Sequence, residues 1–596
     1  MVLTKISAAV ALAGVAMAAG AVTYTPGTYT EKVNGHNAAF NVSVTVSKNK
    51  IEKIEYPDNL ETIGVGRVAL DKLSKKIIDR QSLGVDNVTG ATISSFALKG
   101  AVKKALEKAG VSKDDMAKLQ KNTEKYTALP AEVKTQVVVI GGGGSGLASA
   151  IAAQQAGAKV IVLEKLGLLG GSTNVSEGAL NAADPERQGK QGIEDSIQKH
   201  YDQTMKGGHD IGNPVLVHYL TDHALESVHW LESIGVQFKP EVGTATGALW
   251  QRSHYPATPS GNTYIRSFEK YIAAHKNDIQ VYTDMNAESL IKDKAGRVIG
   301  VVAKDNHTGK TTKFMADKGV IVATGGFGAN VELRQKVNTG VFKDYDLGKG
   351  IGCTNFNKSA QGSGIIMGEK VGANVIGMSD IQVHPCGTPG TGLMEMVRTS
   401  GRNRVFIKDG NRFVNEGAAR DVLAKAIFAQ PGATYYVLVN HLRYPSLDWV
   451  DANGAKMKDM IDLGRVVAAP TLEELAKKLD MPVENLKKSI ADYNAVVAGT
   501  AEDKLGFKAN NKADKQMTEG PWYACKKVPT VHHTMGGLEI NDKAQVLDKN
   551  GKVIPGLYAA GETTGGIHGS NRLGGNAIAD IMTFGRDAGT HAAKGN

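Results

Sequence analysis

Cysteine is scarce. Only Cys353, Cys386 and Cys525 occur in 596 residues, far apart from one another. There is no CxxC pair, no CxxCH haem-attachment site and no disulfide framework, so any redox chemistry would need an organic cofactor. No Lys/Arg block interleaved with aromatics is present, which argues against a nucleic-acid partner. After the N-terminal segment no apolar run is long enough to span a bilayer. Internal repeats and low-complexity tracts are also missing.

What is present fits a globular chain of two or three domains, with 42% hydrophobic and 22% charged residues. The formal charge of +10 reads as a solvated, mildly basic surface, and a basic rim would also attract a dianionic ligand. The first residues, MVLTKISAAVALAGVAMAAGAVTYTPG, combine Lys5, an Ala-rich apolar stretch and the small-x-small site Ala16-Met17-Ala18. They predict a cleaved secretory signal over 1–21 and a periplasmic protein, in preference to a retained anchor.

A first unit is expected over 23–112. AAFNVSVTVSKNKIEKIEY alternates like half-buried strands, and VGRVALDKLSKKIIDR and SSFALKGAVKKALEKAG have helical spacing, the second ending at Gly110. The polar residues 113–132 predict a linker. QVVVIGGGGSGLASAIAAQQAGAKVIVLEK then reads strand, glycine turn, helix, strand, the βαβ unit of an α/β fold with parallel strands. Three separate strands are expected in VIGVVAKD, TTKFMA and GVIVA, and a last helix near 576–590. The GKT of HTGKTTK lacks the earlier glycine of a phosphate loop and reads as a hairpin turn.

Gly141-x-Gly143-x-x-Gly146 lies between a strand and a helix, with Glu164 ending the next strand. That context fits pyrophosphate at a helix N-terminus and a ribose on Glu164, against the alternative of a ligand-free turn. GVIVATGGFGAN, with Gly325 and Gly326, resembles the ATGG segment that flavoproteins place beside FAD, and GLYAAGETTGG resembles the strand that brings an acid, Glu562, to the ribityl chain.

GGSTNVSEGALNAA, QVHP, MEMVR, NRFVNEGAARD, HHTMGG and GSNRLGGNA follow in an order that resembles the flavoprotein of the fumarate reductase/succinate dehydrogenase family, especially its exported fumarate reductase branch. The resemblance implies a Rossmann-like two-dinucleotide FAD domain over 133–377 and 533–596, with an α+β cap inserted over 378–532. It implies reduction of the C=C bond of an α,β-unsaturated carboxylate, fumarate first, with hydride from FAD. Arg420 would be the proton donor, Glu395 and Arg398 its relay, and His384, His533 and Arg572 the substrate-binding residues. Glu395 and Arg398 at i,i+3 would otherwise be a helix ion pair. Of the adjacent His532 and His533, one is expected to face the site, His533; without accompanying carboxylate or cysteine ligands they predict no metal.

Two departures bear on substrate. Met394 stands where the family's fumarate reductases have Thr, and the stretch from His384 to Glu395 is short. Urocanate, acrylate, methacrylate or a cinnamate-like acid are therefore alternatives, although urocanate reductases replace the His384-like residue with Tyr. LLGGSTNVSEG, carrying Ser172 and Thr173, lacks the attachment His of quinone-linked members, which implies non-covalent FAD.

Asp86-Asn87-Val88-Thr89-Gly90-Ala91-Thr92-Ile93-Ser94 resembles the motif of small α+β domains that carry FMN esterified to a hydroxyl, here that of Ser94. Otherwise Ser94 or Ser95 would be a helix N-cap. The resemblance implies a flavin transferase, a membrane-associated quinol-linked electron donor and a monomeric enzyme. A flavin electron carrier without turnover is the remaining alternative; it has no need of His384, Arg420, His533 and Arg572.

Overall fold

The computed structural model describes residues 22–258, 260–355, 359–451, 455–509 and 514–595. The expected signal segment lies outside them.

The N-terminal domain is a three-stranded antiparallel sheet, Gly27–Asn34, Ala39–Ser47 and Lys50–Glu55, covered by helices Gly66–Arg80 and Thr92–Lys108. Alternation in the middle strand sends Phe40, Val42, Val44 and Val46 to one face. There they meet Leu70, Leu73, Ile77, Leu98, Val102 and Leu106 from the two helices.

The expected linker over 113–132 needs correction. Its first part is a helix, Lys113–Gln120, capped by the Ser112 hydroxyl, which accepts the Asp115 N–H at 3.2 Å. Met116 and Leu119, three residues apart, are buried in the N-terminal core. Two apolar residues on one helical face suffice to fold a segment whose composition is otherwise polar.

The second domain is built on parallel strands in the order Val553–Ala559, Thr311–Val322, Glu132–Ile140, Val160–Leu163 and Ile279–Tyr282. Their near-continuous Val/Ile runs suit burial on both faces. Helices Gly144–Gln155 and Asn576–Lys594 pack on one side of the sheet. TTKFMA and GVIVA are one strand with an irregularity between Ala316 and Gly319, and HTGKTTK is the hairpin turn leading into it.

The cap is a mixed sheet and helix layer inserted between the two halves of this domain. Its sheet runs Ile381–Gly387, Trp522–Thr534, Tyr435–Asn440, Arg404–Lys408, Asn411–Arg412, with Val467–Ala469 also paired to the long strand. That long strand is the chain's return path, and it runs to Thr534, two residues beyond the expected boundary.

The N-terminal domain sits on the FAD-type domain through the loop after Leu163 and the hairpin turn that carries His307. Leu168, 1% exposed, is part of the N-terminal core, and Lys72 Nζ donates to the Gly167 carbonyl at 2.8 Å. Asn174 Nδ2 donates to the Gly64 carbonyl at 3.3 Å, and Tyr126 stacks on His307 with centroids 4.0 Å apart. Leu168→Ala should cost about 2–5 kcal/mol at this contact. Chemical denaturation is expected to show the N-terminal domain separating earlier, with faster proteolysis between 121 and 131; unchanged denaturation and cleavage would mean that the loop does not anchor it.

Candidate active site

The glycine turn is shaped by close backbone approach. A Cβ on Gly146 would lie 1.9 Å from the Gly141 carbonyl oxygen, and one on Gly326 would lie 2.1 Å from Thr534 Oγ1 and 2.6 Å from Glu562 Oε1. Gly143 caps helix Gly144–Gln155, so free N–H groups point out of that terminus. Glu164 is buried, and each of its oxygens accepts one backbone N–H, from Gly142 and Leu166, both at 2.8 Å. Burial raises its carboxyl and those two N–H groups oppose the rise. Gly141, Gly143, Glu164, Gly325 and Gly326 line a narrow cavity of about 120 Å³.

That cavity shares Ser172, Thr173, Asn355, Glu562 and Ile581 with a larger one of about 770 Å³. The larger cavity is lined by His384, Glu395, Arg420, His533 and Arg572, and also by Ser94. Residues almost 500 positions apart thus share one continuous space. Arg572 has a buried Nε with no partner among the described residues, as expected of a group that awaits an anion. The donor set and the glycine cradle fit FAD running from the narrow cavity into the wide one. Ser94, Gly90 and Gly66, in the wall of the wide cavity, fit FMN.

Helix Arg420–Phe428 supplies Arg420 from its first residue. Its Nε donates to the Thr246 carbonyl at 3.1 Å and its Nη1 to Gln382 Oε1 at 2.7 Å. Gln382 in turn donates to Asn571 Oδ1 and the Arg572 carbonyl, at 3.0 and 2.7 Å. Gln382 was missed by the motif reading, although it stands in the same QVHP. Burial, then Arg572, lowers the proton affinity of Arg420, while Glu177 and Tyr255 raise it. Burial brings Arg572 down to about 10, against Glu562 and Asp580.

Strands Ile381–Gly387 and Trp522–Thr534 are antiparallel neighbours and deliver the histidines. His384 Nδ1 faces the Cys386 N–H at 3.1 Å, so the neutral ring carries its proton on Nε2. Burial, Arg420 and Arg572 hold His384 well below the usual imidazole range. Burial and Arg572 do the same for His533. The expectation that only one of the paired histidines faces the site is corrected: His532 lines the cavity as well as His533. It bonds Thr354 Oγ1 at 2.8 Å and packs edge-on against His384. A shift in register between Gln382 and Val383 accompanies this departure from strand alternation.

The expected Glu395–Arg398 partnership is not formed. MEMVR is not helical, and Val397 has φ +58°. Glu395 is paired with Arg465 at 2.5 Å and accepts from Thr388 Oγ1 at 3.3 Å. Arg398 lies 3.4 Å from Glu177, which also accepts the Ser400 hydroxyl at 2.7 Å. Burial alone would raise the Glu177 carboxyl, but Arg398 and Ser400 outweigh it and lower it. Glu177 lies in GGSTNVSEG, a segment whose sequence was read for its missing FAD-attachment His, and its charge among small residues was the available signal.

In the N-terminal domain, Ser94 is no helix cap. The N-cap of Thr92–Lys108 is Ala91 without a side-chain bond, and Ser95 bonds back to the Ala91 carbonyl. The buried Ser94 hydroxyl donates to Glu61 Oε2 at 2.6 Å.

Glu562 accepts the Thr534 N–H at 3.0 Å, and burial pushes its carboxyl up to about 7 against the pull of that bond and of Arg572. Being raised above the ordinary 4.5, it keeps its proton in the folded state after the unfolded chain has lost it. Its contribution to stability is full below 4.5 and falls as pH rises to about 7. In protein stripped of flavin, Glu562→Gln should gain on the wild type across that window by on the order of 3 kcal/mol. Thermal unfolding at pH 4.5 and pH 8 measures it, and a pH-independent difference between the two proteins would refute it.

Residues 136–578 match the family model described as FAD binding domain, and residues 35–107 match the FMN-binding domain. A urocanate reductase of Eggerthella lenta is 35% identical over 570 residues, covering 95% of this chain and 92% of its own. An NADH:acrylate oxidoreductase of Vibrio harveyi is 34% identical over 631 residues; the match covers 96% of this chain but 62% of that longer protein. The open conformation of a flavocytochrome c3 fumarate reductase superposes with a TM-score of 0.62 at 35% identity, covering 81% of each chain. The chain belongs to the family of FAD-dependent oxidoreductases that includes fumarate and urocanate reductases, and it carries an FMN-binding domain ahead of the FAD-binding one.

Proposed function

We propose that this chain is an exported, periplasmic reductase of the C=C bond of an α,β-unsaturated carboxylate, with fumarate as the first candidate. The observation that carries the reading is the convergence of Arg420, Arg572, His533 and His384 on one cavity continuous with the flavin cradle. FAD bound there would supply hydride to the β carbon, reloaded with electrons that enter through FMN esterified to Ser94 by a flavin transferase, from a membrane-associated quinol-linked donor. Arg572 and the neutral histidines hold the carboxylate and stabilise charge that develops as the alkene is reduced. Arg420 delivers a proton to the α carbon. A guanidinium normally keeps its proton; burial and the neighbouring Arg572 make this one a better acid.

Arg420 must be reprotonated. Glu177, facing Arg398 and lining the same cavity, is better situated for that relay than Glu395, which Arg465 holds. A second substrate reading draws on Leu393, Met394 and Met460, which also line the cavity. Such apolar wall favours an acid with one carboxylate and an apolar or aromatic far end, as in acrylate, methacrylate or cinnamate.

Reduced viologen assayed against fumarate, urocanate, acrylate, methacrylate and cinnamate separates these substrates, and oxidation by none of them would overturn the reductase reading. Arg420→Ala is expected to lose at least about 10³-fold in kcat with FAD retained; retained turnover would remove Arg420 from the proton step. Glu177→Gln should slow turnover more than Glu395→Gln does, and the reverse order would restore the relay to Glu395.

A further inference from the structure

The Ser94 hydroxyl has a partner that neither its motif nor the reductase chemistry uses. Glu61 reaches it from the loop before helix Gly66–Arg80. Both side chains are almost fully buried, at 3% and 1% exposure, yet both line the wide cavity. The carboxylate's other oxygen, Oε1, accepts the His36 N–H at 2.6 Å, and Arg67 Nε steadies the backbone of the same residue by donating to the Glu61 carbonyl at 3.0 Å. Gly66 makes the approach possible, because a Cβ there would lie 2.3 Å from Glu61 Oε2 and 2.8 Å from Ser94 Oγ. Ser95 performs the local backbone duty, accepting the Val88 N–H at 3.2 Å and donating to the Ala91 carbonyl at 2.8 Å. Ser94 therefore points its O–H at a carboxylate instead of its own helix.

We propose that Glu61 is the general base for esterification of Ser94 and then the hydrogen-bond donor that holds the resulting phosphodiester. The inference rests on the reading of Ser94 as the FMN attachment site. A serine hydroxyl is a weak nucleophile until a base accepts its proton, and a base within hydrogen-bond reach meets the geometric requirement. The co-reactant is FAD presented by a separate flavin transferase. Ser94 Oγ bonds to the phosphorus of the FMN half, the pyrophosphate P–O bond breaks, and AMP leaves with the bridging oxygen. The Oγ proton passes to Glu61, and nothing is oxidised or reduced. The transferred proton also removes an electrostatic conflict. An ionised Glu61 would face the new phosphodiester as a second buried anion, whereas the protonated acid donates to a phosphate oxygen.

The test follows labelling by intact mass, so it does not depend on reductase turnover. Full-length chain made without transferase is incubated with a flavin transferase and FAD. Wild type is expected to gain one FMN. Glu61→Gln, whose amide oxygen still accepts from Ser94, should be labelled at least about 100-fold more slowly, with unchanged near-ultraviolet circular dichroism and FAD content. Labelling of Glu61→Gln at the wild-type rate would overturn the assignment. If that variant misfolds, Glu61→Ala with added formate decides: restored labelling supports the base, and unrestored labelling of folded protein counts against it. Ser94→Ala separates the two readings, because a Ser94→Ala protein that still gains FMN defeats the attachment site itself.

Discussion

Two guanidinium groups buried around one cavity, without direct counter-ions among the described residues, set the terms for the rest of the site. Arg420 donates to the Thr246 carbonyl and to Gln382, and Arg572 to the Leu573 carbonyl, all neutral acceptors. Their nearest charge relief acts at longer range, from Glu177 on Arg420 and from Glu562 and Asp580 on Arg572. Buried charges left this way are costly, and each guanidinium opposes protonation of its neighbour. On the proposed function, an incoming carboxylate would supply the missing negative charge, and its binding would relieve this repulsion. Burial first, and then the charge of Arg572, lower the proton affinity of Arg420.

The cap makes that arrangement possible. Its two neighbouring strands, Ile381–Gly387 and Trp522–Thr534, carry the QVHP and HHT motifs side by side, with Gln382 opposite His533. Gln382 then ties Arg420 to the backbone at Arg572, joining cap and FAD-binding domain at the point where substrate would sit. Arg420 also occupies the first turn of its helix. The positive end of the helix dipole there is unfavourable to a cation, which pushes its proton affinity in the same direction as burial does.

Much of this was legible in the sequence because the signals are local. The βαβ glycine turn, the Ser94 motif and the cap's histidine and arginine motifs each declare themselves within a dozen residues. What escaped depends on tertiary context. Met116 and Leu119 gave helix Lys113–Gln120 a face to bury, but only the N-terminal core shows that a partner exists. Strand alternation predicted one histidine of the His532–His533 pair in the site, and the register shift in the sheet brings in both. Glu395 and Arg398 were linked by spacing, whereas Val397 turns the backbone through a left-handed conformation and separates them. Glu61 and Glu177 belong to no recognisable spacing with Ser94 or Arg420; folding alone brings these acids to their partners.

The loop after strand Val160–Leu163 binds these observations together. Within one short stretch, Glu164 braces the glycine turn, Leu168 enters the N-terminal core, Ser172 and Thr173 line both cavities, and Glu177 meets Arg398. Such a stretch cannot shift for one purpose without disturbing the others, since packed interiors transmit small displacements. The position of the N-terminal domain is therefore mechanically linked to the flavin cradle and to the carboxylate beside Arg398. The seat of the N-terminal domain, the shared wall of the two cavities and the Glu177–Arg398 pair are thus all set by residues 164–177.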